Sequence, residues 1–405
     1  MRVMVLGLRG FPGIQGGVET HAEKLYPILR DKGCDIEVIV RSPYWRAIAD
    51  NSLSGIRFRP IWSPSSTGVE AFVHTFLGVL YAGWRRPDVL HIHAIGPALF
   101  VPLAKLLGLR VVVTHHGPDY DREKWSGAAK FILRIGERLG VLFSDERIVI
   151  SNVIRELVEV KYGRGSTCIP NGVEIPTGMY GDGTLQALGL QAGRYILNVS
   201  RMVPEKRHLD LIEAFPHVGL PGWKLVLVGD LTADDAYVRE VVAAAGRSSS
   251  IVLAGFQTGQ ALAEIYANAG VFALPSTHEG LPIALLEALS YGLPSVASNI
   301  PANKEVDLPS DQYFRVNDVR DLAACLYRVA TAKRAADFRE TTQAGVGRKY
   351  DWQSIAQRTL EVYRRVCGQD RHTAPSPMAE GASAANTEAS HSAEGGTPLA
   401  SARGP

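Results

Sequence analysis

Short β-branched runs alternate with longer amphipathic segments along this chain, and the alternation occurs twice. In the first half the runs are Val3–Leu6, Ile36–Val40, Ile56–Arg59, Val89–His93, Arg110–Thr114 and Arg147–Ile150. In the second they are Tyr195–Val199, Lys224–Val228, Ile251–Ala254, Val271–Leu274 and Ser295–Ala297. Near-continuous apolar strands separated by helix-length segments predict parallel sheets covered on both faces. Two such series in tandem predict an α/β chain with two doubly wound, Rossmann-like domains. A ligand is then expected at the carboxyl ends of the strands, in the cleft between the domains.

Turn residues set the division. Pro170-Asn171-Gly172, Pro176, Gly178, Gly181 and Gly183 crowd the stretch between Gly163 and Gly193. The expected layout is a first domain over 1–165, a hinge over 166–190, a second domain over 191–350 and a last helix over 351–368. That helix carries Ile355, Leu360, Val362 and Tyr363 as its apolar residues. Residues 369–405 are Ala, Ser, Gly, Pro, Thr and Glu with almost no large apolar side chain. Such a segment cannot bury enough surface to offset its ordering entropy and reads as a disordered tail.

Composition removes several function classes. The 405 residues are 46% hydrophobic and 21% charged, with net charge +2, which is ordinary for a soluble globular protein. Neither the charge nor any motif points to nucleic acid. Cys34, Cys168, Cys325 and Cys367 are scattered without metal-ligand spacing and read as reduced thiols of a cytoplasmic protein. The opening Met1–Arg9 has too short an apolar run for a signal peptide. No stretch of about 18 uncharged apolar residues predicts a transmembrane helix. The nearest, Ala71–Trp84, is expected to be a buried helix.

The segment His278-Glu279-Gly280-Leu281-Pro282-Ile283-Ala284-Leu285-Leu286-Glu287 follows an apolar strand and opens a helix. If all of it were helical, Glu279 and Glu287 would stand roughly 12 Å apart along the axis. That is the scale of a nucleotide-sugar. Free N–H groups at the helix start suit the diphosphate, and Gly280, Leu281 and Ile283 are the better donors because Pro282 has none. The bland alternative is a helix start favoured by an acidic residue, with Glu287 on a solvated face.

Three further elements bear on the same chemistry. Arg201 and Lys206 follow the first strand of the second half, where two cations can neutralise a leaving diphosphate; alone they would be a solvated basic turn. The loop Gly10–Glu19 contains Gly16-Gly17, which lets backbone approach a phosphate or sugar, and it lacks the dinucleotide-binding spacing. Thr114-His115-His116-Gly117 ends the fifth strand. His115 and His116 point in opposite directions on an extended chain, so only one faces the cleft, and either could instead be satisfied inside the fold.

These elements together resemble the retaining glycosyltransferases of family 4, which have the GT-B fold. Their signature is two glutamates separated by seven residues at the start of a helix in the second domain, matched here by Glu279 and Glu287. Many members read Glu-Gly-Phe-Gly where this chain reads Glu-Gly-Leu-Pro, a change that removes one N–H donor. Arg9-Gly10-Phe11-Pro12, Gly16-Gly17-Val18-Glu19-Thr20 and Arg122-Glu123-Lys124-Trp125 resemble a rhamnosyltransferase-like subgroup. The resemblance covers roughly residues 1–367.

The resemblance implies a two-domain transferase with a nucleotide-sugar donor and a glycan or polyprenyl-diphosphate-linked acceptor. It implies that Glu287 holds the ribose, Glu279 the sugar hydroxyls, and Arg201 with Lys206 the diphosphate. His116 would contact the sugar from the first domain, with His115 its competitor, and Phe256 and its neighbours would frame the base. It implies no metal or other cofactor and a C-terminal helix crossing back to the first domain. Exopolysaccharide, capsule or O-antigen synthesis is the expected setting. A nucleotide-sugar epimerase of similar fold, a phosphorylase and a non-catalytic glycan-binding scaffold are the alternatives.

Two patterns stay open at this level. Asp119-Tyr120-Asp121 has the form of a metal-holding pair, but it lies in the first half, away from the diphosphate cations, and acceptor contact or solvation suits it better. Lys130, Arg134 and Arg138 recur every fourth residue among apolar ones, as on a helix lying at the inner face of an anionic membrane. A core-packed helix with a solvated basic face has the same pattern.

Overall fold

Residues 1–14, 16–45, 55–64, 69–121, 125–178, 180–232 and 235–369 are described by the computed structural model. The Arg122-Glu123-Lys124 element and the tail 370–405 lie outside the described residues.

Burial on both faces demands apolar strands, and every run read from the sequence forms one. In the first half these are β1 (Arg2–Leu6), β2 (Asp35–Arg41), β3 (Ile56–Ile61), β4 (Val89–His93), β5 (Val111–His115) and β6 (Glu146–Val149). A two-residue strand, β7 (Thr167–Cys168), completes a seven-stranded sheet of order β3-β2-β1-β4-β5-β6-β7. The second half supplies β8 (Tyr195–Val199), β9 (Lys224–Val228), β10 (Ile251–Gly255), β11 (Val271–Leu274), β12 (Ser295–Ser298) and β13 (Tyr313–Phe314). These form a six-stranded sheet of order β10-β9-β8-β11-β12-β13. Among the described residues the strand pairings within each sheet are parallel. The strand order reverses between β1 and β4 in one sheet and between β8 and β11 in the other. Loops at such a reversal leave a crevice outside the carboxyl ends.

The stretch 166–190 is not a bare hinge. β7 belongs to the first sheet, and the helix Gly183–Ala187 packs on the helix Gly259–Ala267 of the second half. What remains between them is pinned by the last helix, Trp352–Val366. Its start is capped by Asp351, whose carboxylate accepts from Ser354 N–H at 2.7 Å. Val173 N–H donates to the Tyr350 carbonyl at 2.9 Å, so the chain's two crossings lie side by side. Gly172 is required there because a Cβ would run into the Trp352 indole.

The last helix crosses back to the first half. Ile355, Ala356, Leu360, Val362 and Tyr363 join one buried cluster with Val3, Leu25, Tyr26 and Leu29. Each fully buried side chain of this size contributes about 1.5–3 kcal/mol, enough to hold the crossing.

One helix departs from its expected burial. Ala71–Trp84 falls in the helix Val69–Arg85, which buries only His74, Thr75, Gly78, Val79 and Ala82. Phe72, Phe76, Leu80 and Trp84 face outward. High hydropathy alone does not reveal which apolar face finds a partner. Among the described residues no helix is long and apolar enough to cross a membrane.

Candidate active site

The second sheet's reversal brings the diphosphate candidates together. Arg201 and Lys206 lie on the loop after β8; Glu279 lies on the loop after β11. Lys206 sits in a 3-10 turn, Pro204–Lys206, and its Nζ donates to Glu279 Oε1 at 2.5 Å. Both side chains are largely buried, at 15% and 10% exposure. Burial pushes the Glu279 carboxyl up, but the charge and hydrogen bond of Lys206 outweigh it and hold the group below its ordinary value. Glu279 is therefore held as the carboxylate. Thr277 N–H donates to the Glu205 carbonyl at 2.9 Å and ties the same two loops by backbone.

The helix behind Glu279 is Ile283–Ser290, with Pro282 at its cap. The stretch from Glu279 to Glu287 is therefore not helical throughout, and the 12 Å axial spacing does not apply. Pro282 has ψ 90°, outside the helical range, and its ring disfavours a helical Leu281 before it, so the helix begins at Ile283. Gly280 and Leu281 belong to the preceding loop, and Ile283 is the first helical residue. Glu287 accepts from the Tyr266 hydroxyl at 3.0 Å. Burial raises its carboxyl to about 6, against the opposing hydrogen bond of Tyr266 and charge of Lys24. Phe256 follows β10, the outer strand, and is 47% exposed.

The first half meets this loop directly. A Cβ on Gly280 would collide with the His116 carbonyl, and one on Gly117 would lie 3.5 Å from Gly280 Cα. A Cβ on Gly17 would lie 3.5 Å from Ile283 Cδ1. Gly16 is the cap of the helix Gly17–Asp31, at φ 158°. Glycine at 280 is thus what permits the two halves to touch beside the Lys206–Glu279 pair.

The two adjacent histidines separate as an extended chain requires. His115 Nε2 lies 3.0 Å from Glu137 Oε1, and its Nδ1 accepts from Gly117 N–H at 3.1 Å. Glu137 is fully buried and also takes Lys161, Tyr162 and Tyr120 as partners. Its carboxyl is held down to about 2, because these hydrogen bonds outweigh the burial that would raise it. His115 is thereby committed to the interior, and His116 is the one beside Gly280.

Sequence reasoning missed what stands behind His116. His93 Nδ1 lies 2.9 Å from His116 Nε2, and the Tyr26 hydroxyl lies 2.5 Å from His93 Nε2. The same hydroxyl is 3.0 Å from His91 Nδ1, which is 2.6 Å from the Tyr363 hydroxyl. His21 adds an edge-on ring 5.3 Å from His116. Burial pushes every one of these imidazoles down, His21 to about 4 and His91 to about 3, so all are neutral. The His-x-His pattern of His91 and His93 on β4 was the available signal. Its partners, at positions 26, 116 and 363, are remote in sequence.

Glu205 was also missed. It is buried, and among the described residues neither carboxylate oxygen has a hydrogen-bond partner. The turn carrying Lys206 thus has acceptor capacity that hydroxyls or water can fill. Asp119 and Asp121 share a 3-10 turn in the first half, after β5. Among the described residues no group of three or more His, Cys, Asp or Glu is placed to hold a metal ion.

Two facing parallel sheets, with cations after β8 and a carboxylate after β11, define a GT-B glycosyltransferase. The comparisons agree in both halves: the Glycosyltransferase Family 4 model matches residues 15–175, and the Glycosyl transferases group 1 model matches residues 193–332. The chain belongs to the family 4, GT-B glycosyltransferases.

A GDP-mannose:cellobiosyl-diphosphopolyprenol alpha-mannosyltransferase of Xanthomonas campestris is 29% identical over 71% of this chain and 76% of its own length. A phosphatidyl-myo-inositol mannosyltransferase of Mycolicibacterium smegmatis is 24% identical over 88% of this chain and 92% of its own. Among solved structures, Anabaena HepE in complex with UDP and glucose superposes with a TM-score of 0.73 at 20% identity, covering 90% of this chain and 100% of that one.

Proposed function

We propose that this glycosyltransferase moves a sugar from a nucleoside-diphosphate donor to a glycan or polyprenyl-diphosphate-linked acceptor, with retention and without a metal. The observation that carries the reading is the largely buried Lys206–Glu279 pair at the reversal of the second sheet, with His116 of the first half beside it. A diphosphate entering there meets Lys206 and Arg201, while Glu279 is an acceptor for sugar hydroxyls. Glu287 is assigned the ribose, and the Phe256 segment the base. The cations hold the leaving group's charge as it develops, the part a metal would otherwise play.

The bond from the anomeric carbon to the phosphate oxygen breaks, and its electron pair leaves with the nucleoside diphosphate. The acceptor hydroxyl attacks from the same face, and its proton passes to the departing phosphate oxygen. The relatives named for GDP-mannose, a diphosphopolyprenol and phosphatidyl-myo-inositol favour a lipid-linked acceptor. That acceptor suits polysaccharide assembly at the inner face of a membrane. The rhamnosyltransferase-like elements make a deoxyhexose donor one arm of the test.

The test is a thermal-shift panel of nucleoside diphosphates and their sugars, followed by nucleotide release in the presence of a chelator. One diphosphate family should raise the melting temperature, because a ligand of the folded state alone stabilises it. Release should persist with chelator and require an acceptor. No shift with any member, or turnover abolished by chelator, would overturn the reading.

A further inference from the structure

Glu137 stands within the helix Gly127–Phe143 with its side chain 0% exposed. Oε1 accepts from His115 Nε2 at 3.0 Å and from the Tyr120 hydroxyl at 3.1 Å. Oε2 accepts from the Tyr162 hydroxyl at 2.5 Å and from Lys161 Nζ. These donors fill the acceptor positions that a carboxylate offers. Stability alone does not call for such a group. Burying an ion pair costs about as much as the attraction returns, and apolar side chains of similar volume often do as well. What charge-assisted bonds supply is position, since each fixes the geometry of the group that donates.

Two of the donors bracket the loop that faces the second half. His115 ends β5 and Tyr120 lies in the 3-10 turn Asp119–Asp121, with His116 and Gly117 between them. His115 Nδ1 accepts from Gly117 N–H at 3.1 Å. A ring nitrogen that accepts carries no proton, so the His115 proton is on Nε2, facing Glu137. Gly117 has φ 138°, a backbone conformation open to glycine. A Cβ there would lie 3.5 Å from Gly280 Cα, and a Cβ on Gly280 would collide with the His116 carbonyl. Contacts therefore run from Glu137 through the His115 ring to the Gly117 amide and on to Gly280, the residue after Glu279.

We propose that Glu137 is a positioning residue for sugar transfer: it holds His115 as the Nε2–H tautomer, and through that ring holds the His116–Gly117 backbone against the Glu279 loop. Its part in transfer rests on the reading of that loop as the donor site; the tautomer and the Gly117 bond do not. Lys161, on the helix Asn152–Tyr162, decides which way an amide at position 137 can turn, because a lysine cannot accept. In Glu137→Gln the amide oxygen faces Lys161 and the amide N–H faces His115. The ring then accepts at Nε2 and its proton moves to Nδ1. There it opposes Gly117 N–H, and that bond is lost.

The experiment is nitrogen NMR of the His115 ring in the full chain, beside steady-state release of nucleoside diphosphate from the nucleotide-sugar that most raises the melting temperature. Glu137→Gln should exchange the Nδ1 and Nε2 shifts. It should lower kcat about tenfold, the scale of one hydrogen bond, with the donor KM within about twofold. Lys161→Met should lower the melting temperature by stripping a buried carboxylate of its counter-charge, yet keep the tautomer and hold kcat within about twofold. His115→Phe leaves Glu137 its other donors and should reproduce the loss of kcat even if Glu137→Gln does not fold. A ring proton still on Nε2 in Glu137→Gln, full kcat in His115→Phe, or kcat that merely follows the melting temperature across the variants would overturn the proposal. Absence of release by the unchanged protein would overturn the donor-site reading; the ring shifts, read without substrate, still decide the tautomer.

Discussion

Lys206 Nζ lies 2.5 Å from Glu279 Oε1, joining the loops after β8 and β11 where the strand order of the second sheet reverses. Each compensates the other's burial. Lys206→Ala or Arg201→Ala should lower kcat by roughly two to three orders of magnitude, as removal of a pre-organised charge stabiliser does. In Lys206→Ala the Glu279 carboxyl loses its largest opposing influence and should titrate above its ordinary value. Steady-state rates and a pH profile of the variant read both effects.

Glu287 titrates at about 6 in the folded protein, raised by burial. Its unfolded value is lower, so the folded state holds the proton through the window between about 4.5 and about 6, and this group's contribution to stability falls as pH rises through it. The ionised form is the better acceptor for ribose hydroxyls. Nucleotide affinity should therefore weaken as pH falls through about 6, and Glu287→Gln should remove that inflection while leaving affinity low at all pH. The histidines around His116 do not contribute, because burial keeps them neutral well below this range. Isothermal titration of a nucleoside diphosphate between pH 5 and 8 measures it.

The chain from Tyr363 to His116 sets a tautomer. If the Tyr363 hydroxyl donates to His91 Nδ1, the Tyr26 hydroxyl is free to donate to His93 Nε2. The neutral His93 then carries its proton on Nδ1 and donates to His116 Nε2, leaving the His116 proton on Nδ1. Tyr363→Phe removes the first donor and should redistribute that proton. His93→Phe should lower kcat/KM about tenfold, the scale of one hydrogen bond, with His116→Ala at least as severe. Nitrogen chemical shifts of the His116 ring should move in Tyr363→Phe; unchanged shifts would show that the crossing helix does not reach the site this way.

Gly280→Ala tests the contact between the halves. Its Cβ meets the His116 carbonyl, which is backbone and cannot swing aside. The expected outcome is about 1–3 kcal/mol of destabilisation from overpacking. Turnover should fall further than stability does, because His116 and the Glu279 loop are pushed apart together. Melting curves and kcat measured on one preparation separate the two.

Eleven strands and the crossing helix were legible because buried parallel strands must be β-branched and apolar along their whole length, and an amphipathic helix shows its period. β7 and β13 were not, since two residues carry no pattern. Arg201, Lys206 and Glu279 were legible as candidates because each follows a strand, where a doubly wound fold presents side chains to a ligand, and Glu287 through its spacing from Glu279. Glu205 was not, because nothing local marks a buried carboxylate without a partner; His93 was marked only by the His-x-His pattern of β4, whose partners come from elsewhere in the chain.

The amino-acid order by itself determined the two sheets, the return of the last helix and the positions along the chain from which a phosphate site could be built, since these depend on periodicity and local turn chemistry. Tertiary structure alone decided that His115 turns inward to Glu137, that the helix starts only at Ile283, that Glu287 pairs with Tyr266, and that Phe76 and Trp84 face out. Those outcomes depend on which distant surfaces meet, and a side chain's charge, tautomer and exposure follow from its neighbours in space.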